Sequence, residues 1–157
     1  MADPSTAVHR MIAENRRARH EFEVLETVEC GLALRGTEVK SLRQGRASIA
    51  EAFALIRRGE LYLIGSHIPE YSHGNIHNHE PTRDRKLLVH ARELAAWDRK
   101  VREKGVTMVP LALYFKGARV KLTLALCRGR KLHDKRDRER EKTDRRDMDR
   151  AMSRKRG

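Results

Sequence analysis

The sequence predicts a mainly β protein: an OB-like closed antiparallel β-barrel with about three flanking helices and a disordered basic C-terminal tail. Several short segments alternate apolar with polar residues and are separated by turn-forming residues. By contrast, residues 131–157 contain twelve Lys or Arg and seven Asp or Glu but no aromatic residue, Val or Ile. Such a segment buries too little apolar surface to offset the entropy of ordering. We therefore expect a flexible segment over residues 1–14, the barrel over residues 15–130 and the charged tail over residues 131–157.

The first predicted strand covers residues 20–29, where apolar and acidic residues fall on opposite sides of an extended chain. The apolar side consists of Phe22, Val24 and Val28. Leu25 interrupts this alternation, and a bend is expected at Gly31.

Two further pairs of strands are predicted to form hairpins. Residues 52–56 and 61–64 flank a turn that contains Gly59, and residues 107–115 and 120–126 flank a second turn that contains Gly117. Short strands joined in this way, with helices between them, are typical of a small barrel.

The helix signals are local. Residues 37–45 are predicted to form a short helix, with Thr37 as the N-cap and Gly45 at the end. A longer helix is predicted between Leu87 and Gly105. Its apolar face consists of Leu94, Trp97 and Val101.

The charge indicates a polyanionic partner. The formal net charge is +13 at pH 7, and the pI is about 10.4. The twelve basic and seven acidic residues give the tail +5, which leaves +8 for residues 1–130. A basic body with a basic tail favours RNA as the partner. The longest apolar run is too short to span a membrane and no leader sequence opens the chain, so we expect a cytoplasmic protein.

The sequence does not predict an enzyme. It lacks the lysine of a phosphate-binding loop and shows no nucleophile elbow. Cys30 and Cys127 fit buried thiols, although a disulfide between them remains an alternative. The polar loop over residues 69–81 contains His73, His77 and His79, for which a solvated loop is favoured over a metal site. No cofactor is expected.

Basic residues form three clusters near predicted strand ends and loops, where a barrel offers its binding surface. The clusters consist of Asn15, Arg16, Arg17, Arg19 and His20; Arg83, Arg85 and Lys86; and Lys116, Arg119, Lys121, Arg128, Arg130 and Lys131. Most aromatic residues lie on apolar faces, so the pattern favours recognition of folded RNA by shape and backbone over stacking on single strands.

Five segments, in a fixed order along the chain, carry a family resemblance. They are NRRARH at 15–20, GTEVKSLRQG at 36–45, PTRDRKLL at 81–88, KGVTMVPL at 104–111 and GRKLHDKR at 129–136. The sequence thereby resembles the bacterial small protein B family of SsrA-binding proteins, the partners of transfer-messenger RNA.

The resemblance implies an adaptor without bond chemistry. Its OB-like barrel would dock on the tRNA-like domain of transfer-messenger RNA. Elongation factor Tu would carry the protein only indirectly, through the alanylated RNA. The protein, as a monomer, would enter stalled ribosomes together with its RNA. There the tail, disordered alone, would become helical in the mRNA channel near the small-subunit decoding centre.

The resemblance also assigns roles to single residues. Glu29, Leu88 and Lys121 match RNA-binding positions of the family. From its chemistry, Glu29 can accept a base amino group or a 2′-hydroxyl, and Lys121 can pair with phosphate, while Leu88 fits either contact with RNA or the core. Further RNA-surface candidates are Lys40, Ser41 and Arg43 on the short helix, together with Arg83, Arg85 and Lys86.

At the root of the tail, His133 matches a position that stacks on a decoding-centre base. Asp134, Lys135 and Arg136 match a tripeptide required for tagging but not for RNA binding.

Two other functions remain open from the residues. A general structured-RNA-binding or ribosome-associated protein would have the same charge without a decoding role. A metal-dependent nuclease would use the histidine loop and cleave RNA when a divalent ion is added.

Overall fold

The structure is a computed structural model that describes residues 9–73 and 77–129. Seven strands form one sheet: β1 (His9–Glu14), β2 (Phe22–Leu32), β3 (Phe53–Arg57), β4 (Glu60–Ile64), β5 (Arg85–Leu88), β6 (Val106–Lys116) and β7 (Arg119–Gly129). Three helices accompany them: α1 (Arg16–Glu21), α2 (Gly36–Arg43) and α3 (Ala91–Lys100). The mainly β prediction with about three helices is confirmed. The predicted tail over residues 131–157 lies outside the described residues.

The strands are antiparallel and their pairings close on themselves. The order is β1-β6-β3-β4-β5-β2-β7, and β7 also pairs with β6, so six strands form a hydrogen-bonded ring while β1 adds to β6. Leucines of several strands fill the interior, among them Leu63, Leu122, Leu124 and Leu126. None of the described helices is long and apolar enough to cross a membrane.

A bulge in strand β2 explains why its sequence departs from strict alternation. Its register against β7 shifts between Val24 and Glu26, so Leu25 is the extra residue of a bulge and is 41% exposed. The strand runs through Gly31 to Leu32, and Gly31 pairs with both neighbouring strands.

Both predicted hairpins are confirmed. Between β3 and β4, Arg58 and Gly59 have φ values of 52° and 75°, as a two-residue type I′ turn requires. Between β6 and β7, Gly117 has a φ of 62°.

The short helix is confirmed, but its start differs from the prediction. Helix α2 begins at Gly36 with Arg35 as the N-cap, and the Glu38 carboxylate accepts a hydrogen bond from the Arg35 backbone N–H at 2.8 Å. Thr37 instead lies within 2.9 Å of a buried histidine ring, that of His79. Gly45 ends the helix with a φ of 76°, as predicted.

The helix predicted from Leu87 begins later. Leu87 and Leu88 belong to β5, which pairs with β4 and β2, and α3 starts only at Ala91. Tertiary pairing decides here, because a short apolar run fits a buried strand as well as a helix. The predicted apolar face of α3 is confirmed, with Trp97 buried in the core.

The N-terminal strand was not predicted. Residues 9–14, assigned to a flexible segment, form β1 along β6 and contribute Ile12 and Ala13 to the core boundary. A shift in the β1–β6 register between Met11 and Ala13 breaks the alternation that a strand prediction needs. Cys30 and Cys127 are free and buried, which excludes the alternative of a disulfide between them.

Candidate nucleic-acid interface

The carboxylate of Glu29 and two lysines, Lys116 and Lys121, lie close together on strands β2, β6 and β7. Glu29 pairs with Thr123 across β2 and β7, and Lys121 pairs with both Gly31 and Tyr114. The Tyr114 hydroxyl donates a hydrogen bond to Glu29 Oε2 at 2.5 Å. We call this group of residues the strand surface: Glu29, Tyr114, Lys116, Lys121 and Thr123.

These contacts hold Glu29 in its ionised form. The hydrogen bond from Tyr114 has the largest effect and lowers the pKa of the Glu29 carboxyl. Burial opposes it, and Lys116 and then Lys121 lower the pKa further. Burial and the same hydrogen bond raise the pKa of Tyr114. Glu29 is nevertheless exposed, with Lys116 Nζ 3.2 Å from its Oε1, so the carboxylate can still accept hydrogen bonds from a ligand.

Leu88 lies on the surface beside this group rather than in the core. Its side chain is 49% exposed although Leu87 is 2% exposed. Gly31 pairs with both Leu88 of β5 and Lys121 of β7, so the two residues flank it on neighbouring strands. An open groove of about 380 Å³ runs beside them; its lining includes Leu32, Val39, Leu88, Arg119 and Lys121.

Helix α1 adds an exposed basic surface. Arg16, Arg19 and His20 line a second groove. Its other lining residues are Glu14, Asn15, Leu111 and Ala112. Arg17 is also exposed, but its guanidinium lies 3.6 Å from the carboxylates of Glu21 and Glu51.

Asn15 also lines this groove but is mostly buried, and its polar atoms are engaged within the protein. It is 5% exposed, its Oδ1 accepts from the Ala18 backbone N–H at 3.2 Å, and its Nδ2 donates to the Pro110 carbonyl at 3.0 Å. Asn15 therefore caps α1 and ties it to β6.

On α2 the structure separates the predicted residues. Lys40 and Arg43 are exposed, and the Lys40 ammonium lies 5.6 Å from the centre of the Tyr71 ring. Ser41 is fully buried and donates to the Pro69 carbonyl at 2.7 Å. Ser41, predicted as an RNA-surface residue of this helix, is instead covered by the loop before β5.

Arg85 is likewise corrected, since it is a buried partner of Glu38 rather than a surface group. Neither side chain is exposed, and Arg85 Nε lies 2.5 Å from Glu38 Oε2. Arg83, about one-fifth exposed, contacts the same carboxylate. Burial opposes ionisation of Glu38, but hydrogen bonds from Arg83, the Arg35 backbone and Arg85 outweigh it and lower the pKa of Glu38.

The remaining predicted residues fall in three places. Lys86 is partly exposed, and its Nζ lies 3.1 Å from Glu60 Oε1. His79 is 1% exposed, with its ring nitrogens 2.9 Å from Thr37 Oγ1 and 2.8 Å from the Ile68 carbonyl, so it is a structural residue and not part of a solvated loop. Within residues 9–73 and 77–129, no three potential metal ligands cluster. Lys131, His133, Asp134, Lys135 and Arg136 lie outside the described residues.

Sequence reasoning missed the contribution of β1. Arg10 lies with its guanidinium 5.7 Å from the centre of the Phe115 ring and donates to the Arg43 carbonyl. His9 stacks on Tyr114 of the strand surface. Only the strand pairing brings these residues to the interface, and no local motif marks them.

A mainly β domain with a partly exposed strand surface that carries lysines, and with exposed basic residues on helices beside it, is typical of an RNA-binding protein. The family profile described as "SmpB protein" matches residues 12–154. The chain is 53% identical over 150 residues to the SsrA-binding protein of Kineococcus radiotolerans, covering 96% of each chain. It is 52% identical over 149 residues to the SsrA-binding protein of Synechococcus sp. (strain CC9605), covering 94% of this chain and 90% of the relative.

A solved structure described as "tmRNA-SmpB: a journey to the center of the bacterial ribosome" is also similar. It is 50% identical, has a TM-score of 0.64, and the match covers 76% of this chain and 84% of that one. The chain belongs to the SmpB family.

Proposed function

We propose that this protein binds transfer-messenger RNA and acts with it on ribosomes in trans-translation, as an RNA-binding protein rather than an enzyme. Family membership supports this function, and the relatives are named for binding SsrA RNA. The single structural observation behind it is the strand surface, where an exposed, ionised Glu29 stands among lysines and Leu88 is exposed nearby.

The proposal extends to the mode of docking. We propose that the ring of six strands is an OB-like closed barrel and that it binds the tRNA-like domain of the RNA. The closed pairing β6–β3–β4–β5–β2–β7 supports the barrel. The residues proposed to contact RNA that the structure describes are at least partly exposed and lie on α1, on α2, on the strand surface or in and just before β5. They are Arg16, Arg17, Arg19, His20, Glu29, Lys40, Arg43, Arg83, Lys86, Leu88, Lys121 and, beyond the described residues, Lys131.

For Asn15, Ser41 and Arg85 we propose a supporting role in place of direct contact. Asn15 fixes α1, while Ser41 and Arg85 fix α2 against the loop and strand β5.

The tail is proposed to act on the ribosome. His133, Asp134, Lys135 and Arg136 would engage the small-subunit decoding centre while the rest of the tail becomes helical in the mRNA channel. Glu and Lys or Arg spaced four apart support a helix that is marginal alone. We propose that the protein is a cytoplasmic monomer that elongation factor Tu delivers indirectly, through the alanylated RNA.

Competition binding tests the choice of RNA. We expect unlabelled transfer-messenger RNA to displace its labelled copy at far lower concentration than unrelated tRNA or rRNA hairpins at moderate salt. Equal competition would favour a general structured-RNA-binding protein.

A chain truncated before His133 tests the tail. It should keep this affinity for the RNA and lose tagging of stalled peptides in a reconstituted translation reaction. Tagging by the truncated chain would contradict the assignment of the tail.

A further inference from the structure

A pair of stacked rings stands at the margin of the strand surface. The ring centroids of His9 on β1 and Tyr114 on β6 are 5.2 Å apart, and the ring planes differ by 14°. Tyr114 is 6% exposed, whereas His9 is exposed. One face of the imidazole therefore lies against Tyr114, while His9 as a residue remains exposed to solvent.

The Tyr114 ring, on which His9 stacks, is itself held in place by hydrogen bonds. The Tyr114 hydroxyl donates to Glu29 Oε2 at 2.5 Å and accepts from Thr123 Oγ1 at 3.4 Å, so hydrogen bonds and burial restrain the phenol ring. A planar group that is already restrained loses little further freedom when another planar group stacks on it.

The neighbours of His9 suit a negatively charged polymer. Lys116 lies directly opposite His9 in the β1–β6 register, which brings the side chains side by side. Arg10 follows His9 in the chain and packs its guanidinium near the Phe115 ring. Cationic groups beside an accessible ring form the combination that binds a nucleic-acid strand, with phosphates on the cations and a base on the ring.

We infer that His9 is a stacking platform for an unpaired base of the bound RNA, with Lys116 contacting the adjacent phosphate. The inference rests on the proposed function, because the RNA must first bind the strand surface. Bases in a helix are stacked on each other, so the platform selects an unpaired or splayed nucleotide. Every base has a π-face, so the platform adds affinity with little dependence on sequence.

Variants of His9 separate stacking from charge. We expect His9→Ala to weaken binding of transfer-messenger RNA by about five- to tenfold, as loss of one base–aromatic stack does, and His9→Phe to bind at least as well as the unaltered protein. In neither variant should the salt dependence of binding change. Lys116→Ala, by contrast, should reduce the slope of log K against log salt by about 0.7–0.9, the value of one phosphate contact.

The outcomes distinguish a failure of the proposed function from a failure of the stacking platform alone. If the unaltered protein did not bind the RNA, the proposed function would fail. If it bound and His9→Ala bound equally well, or His9→Phe bound as weakly as His9→Ala, only the stacking platform would be overturned.

A tryptophan reporter gives a second, independent test. The single native Trp97 is buried, so His9→Trp adds an exposed indole that a stacked base should quench. The matched control is Ala95→Trp, at an exposed position of α3. Quenching by added RNA is expected at position 9 and not at position 95. Absent quenching at position 9, or equal quenching at both positions, would overturn the platform.

Discussion

Glu38 of α2 and Arg85 of β5 form an ion pair in the interior, with Oε2 and Nε 2.5 Å apart and neither side chain exposed. Arg83 shares the carboxylate, and the backbone N–H of Arg35 donates to it. A buried charge is tolerated only when it is paired and hydrogen-bonded. The pair therefore fixes helix α2, which carries the exposed Lys40 and Arg43, against strand β5, which carries Lys86 and Leu88.

Removal of the Glu38 carboxylate should destabilise the fold strongly. Glu38→Ala leaves Arg85 buried without its partner, and we expect a loss of about 3–5 kcal/mol in the free energy of unfolding, measured by urea denaturation. Glu26→Ala is the matched control, because the Glu26–Lys100 pair is exposed and should contribute at most about 1 kcal/mol. Similar losses in both variants would contradict a structural role specific to Glu38.

The same carboxylate predicts how stability depends on pH. The pKa of Glu38 is lowered in the folded protein, so its contribution is complete above its unfolded value of 4.5 and is lost as pH falls through the folded value. In urea titrations, the difference in unfolding free energy between the unaltered protein and Glu38→Gln should be largest at neutral pH. It should shrink in acid below pH 4.5. A difference that grew in acid would contradict the sign of this pKa shift.

Glu29 should act on RNA as a hydrogen-bond acceptor. A carboxylate that merely stood near phosphates would repel them, and its neutralisation would strengthen binding. We expect the opposite: Glu29→Gln should raise the Kd for transfer-messenger RNA about tenfold, which corresponds to loss of one charge-assisted hydrogen bond. Glu26→Gln, on the same strand but paired with Lys100 of α3, should leave the Kd nearly unchanged.

Leu87 and Leu88 should respond in opposite ways to truncation. Leu87 is 2% exposed, so Leu87→Ala should cost about 2–5 kcal/mol of stability. Leu88 is 49% exposed, so Leu88→Ala should change stability little and weaken RNA binding. Thermal or urea denaturation and a binding titration on the same two variants check both expectations. Loss of stability in Leu88→Ala without loss of affinity would place this residue with the core.

Both thiols should resist alkylation in the folded protein. Burial raises the pKa of Cys30 to about 12 and that of Cys127 to about 11, so almost no thiolate is available at pH 8. Iodoacetamide labelling followed by mass spectrometry should show slow reaction in buffer and rapid reaction of both residues in urea. Rapid labelling in buffer would contradict the burial of the two side chains.

Much of the fold was predictable because its signals are local. The β3–β4 hairpin needs only Gly59 and its flanking alternation, and the end of α2 needs only Gly45. Strand β1 and the late start of α3 were not predicted, because no local signal specifies them. Residues 9–14 and the run at Leu87 are short and irregular, and the strands that pair with them decide their conformation.

The candidate interface was likewise predictable only in part. Its charge and its family motifs are properties of the chain, and from these Glu29, Leu88 and Lys121 were identified as RNA-binding candidates. Which of the basic residues face solvent was not predictable. Arg83, Arg85 and Lys86 are close in sequence, yet Arg85 is buried, Arg83 is mostly buried and Lys86 is partly exposed.

The sequence by itself determined the basic character, the mainly β class and the family of this protein, because composition, alternation and motifs are written along the chain. Only the tertiary structure decided that Ser41 and Arg85 are buried and that His9 stacks on Tyr114 of the strand surface. The physical reason is distance along the chain: partners such as Glu38 and Arg85, 47 residues apart, are brought together by the closed pairing of the strands.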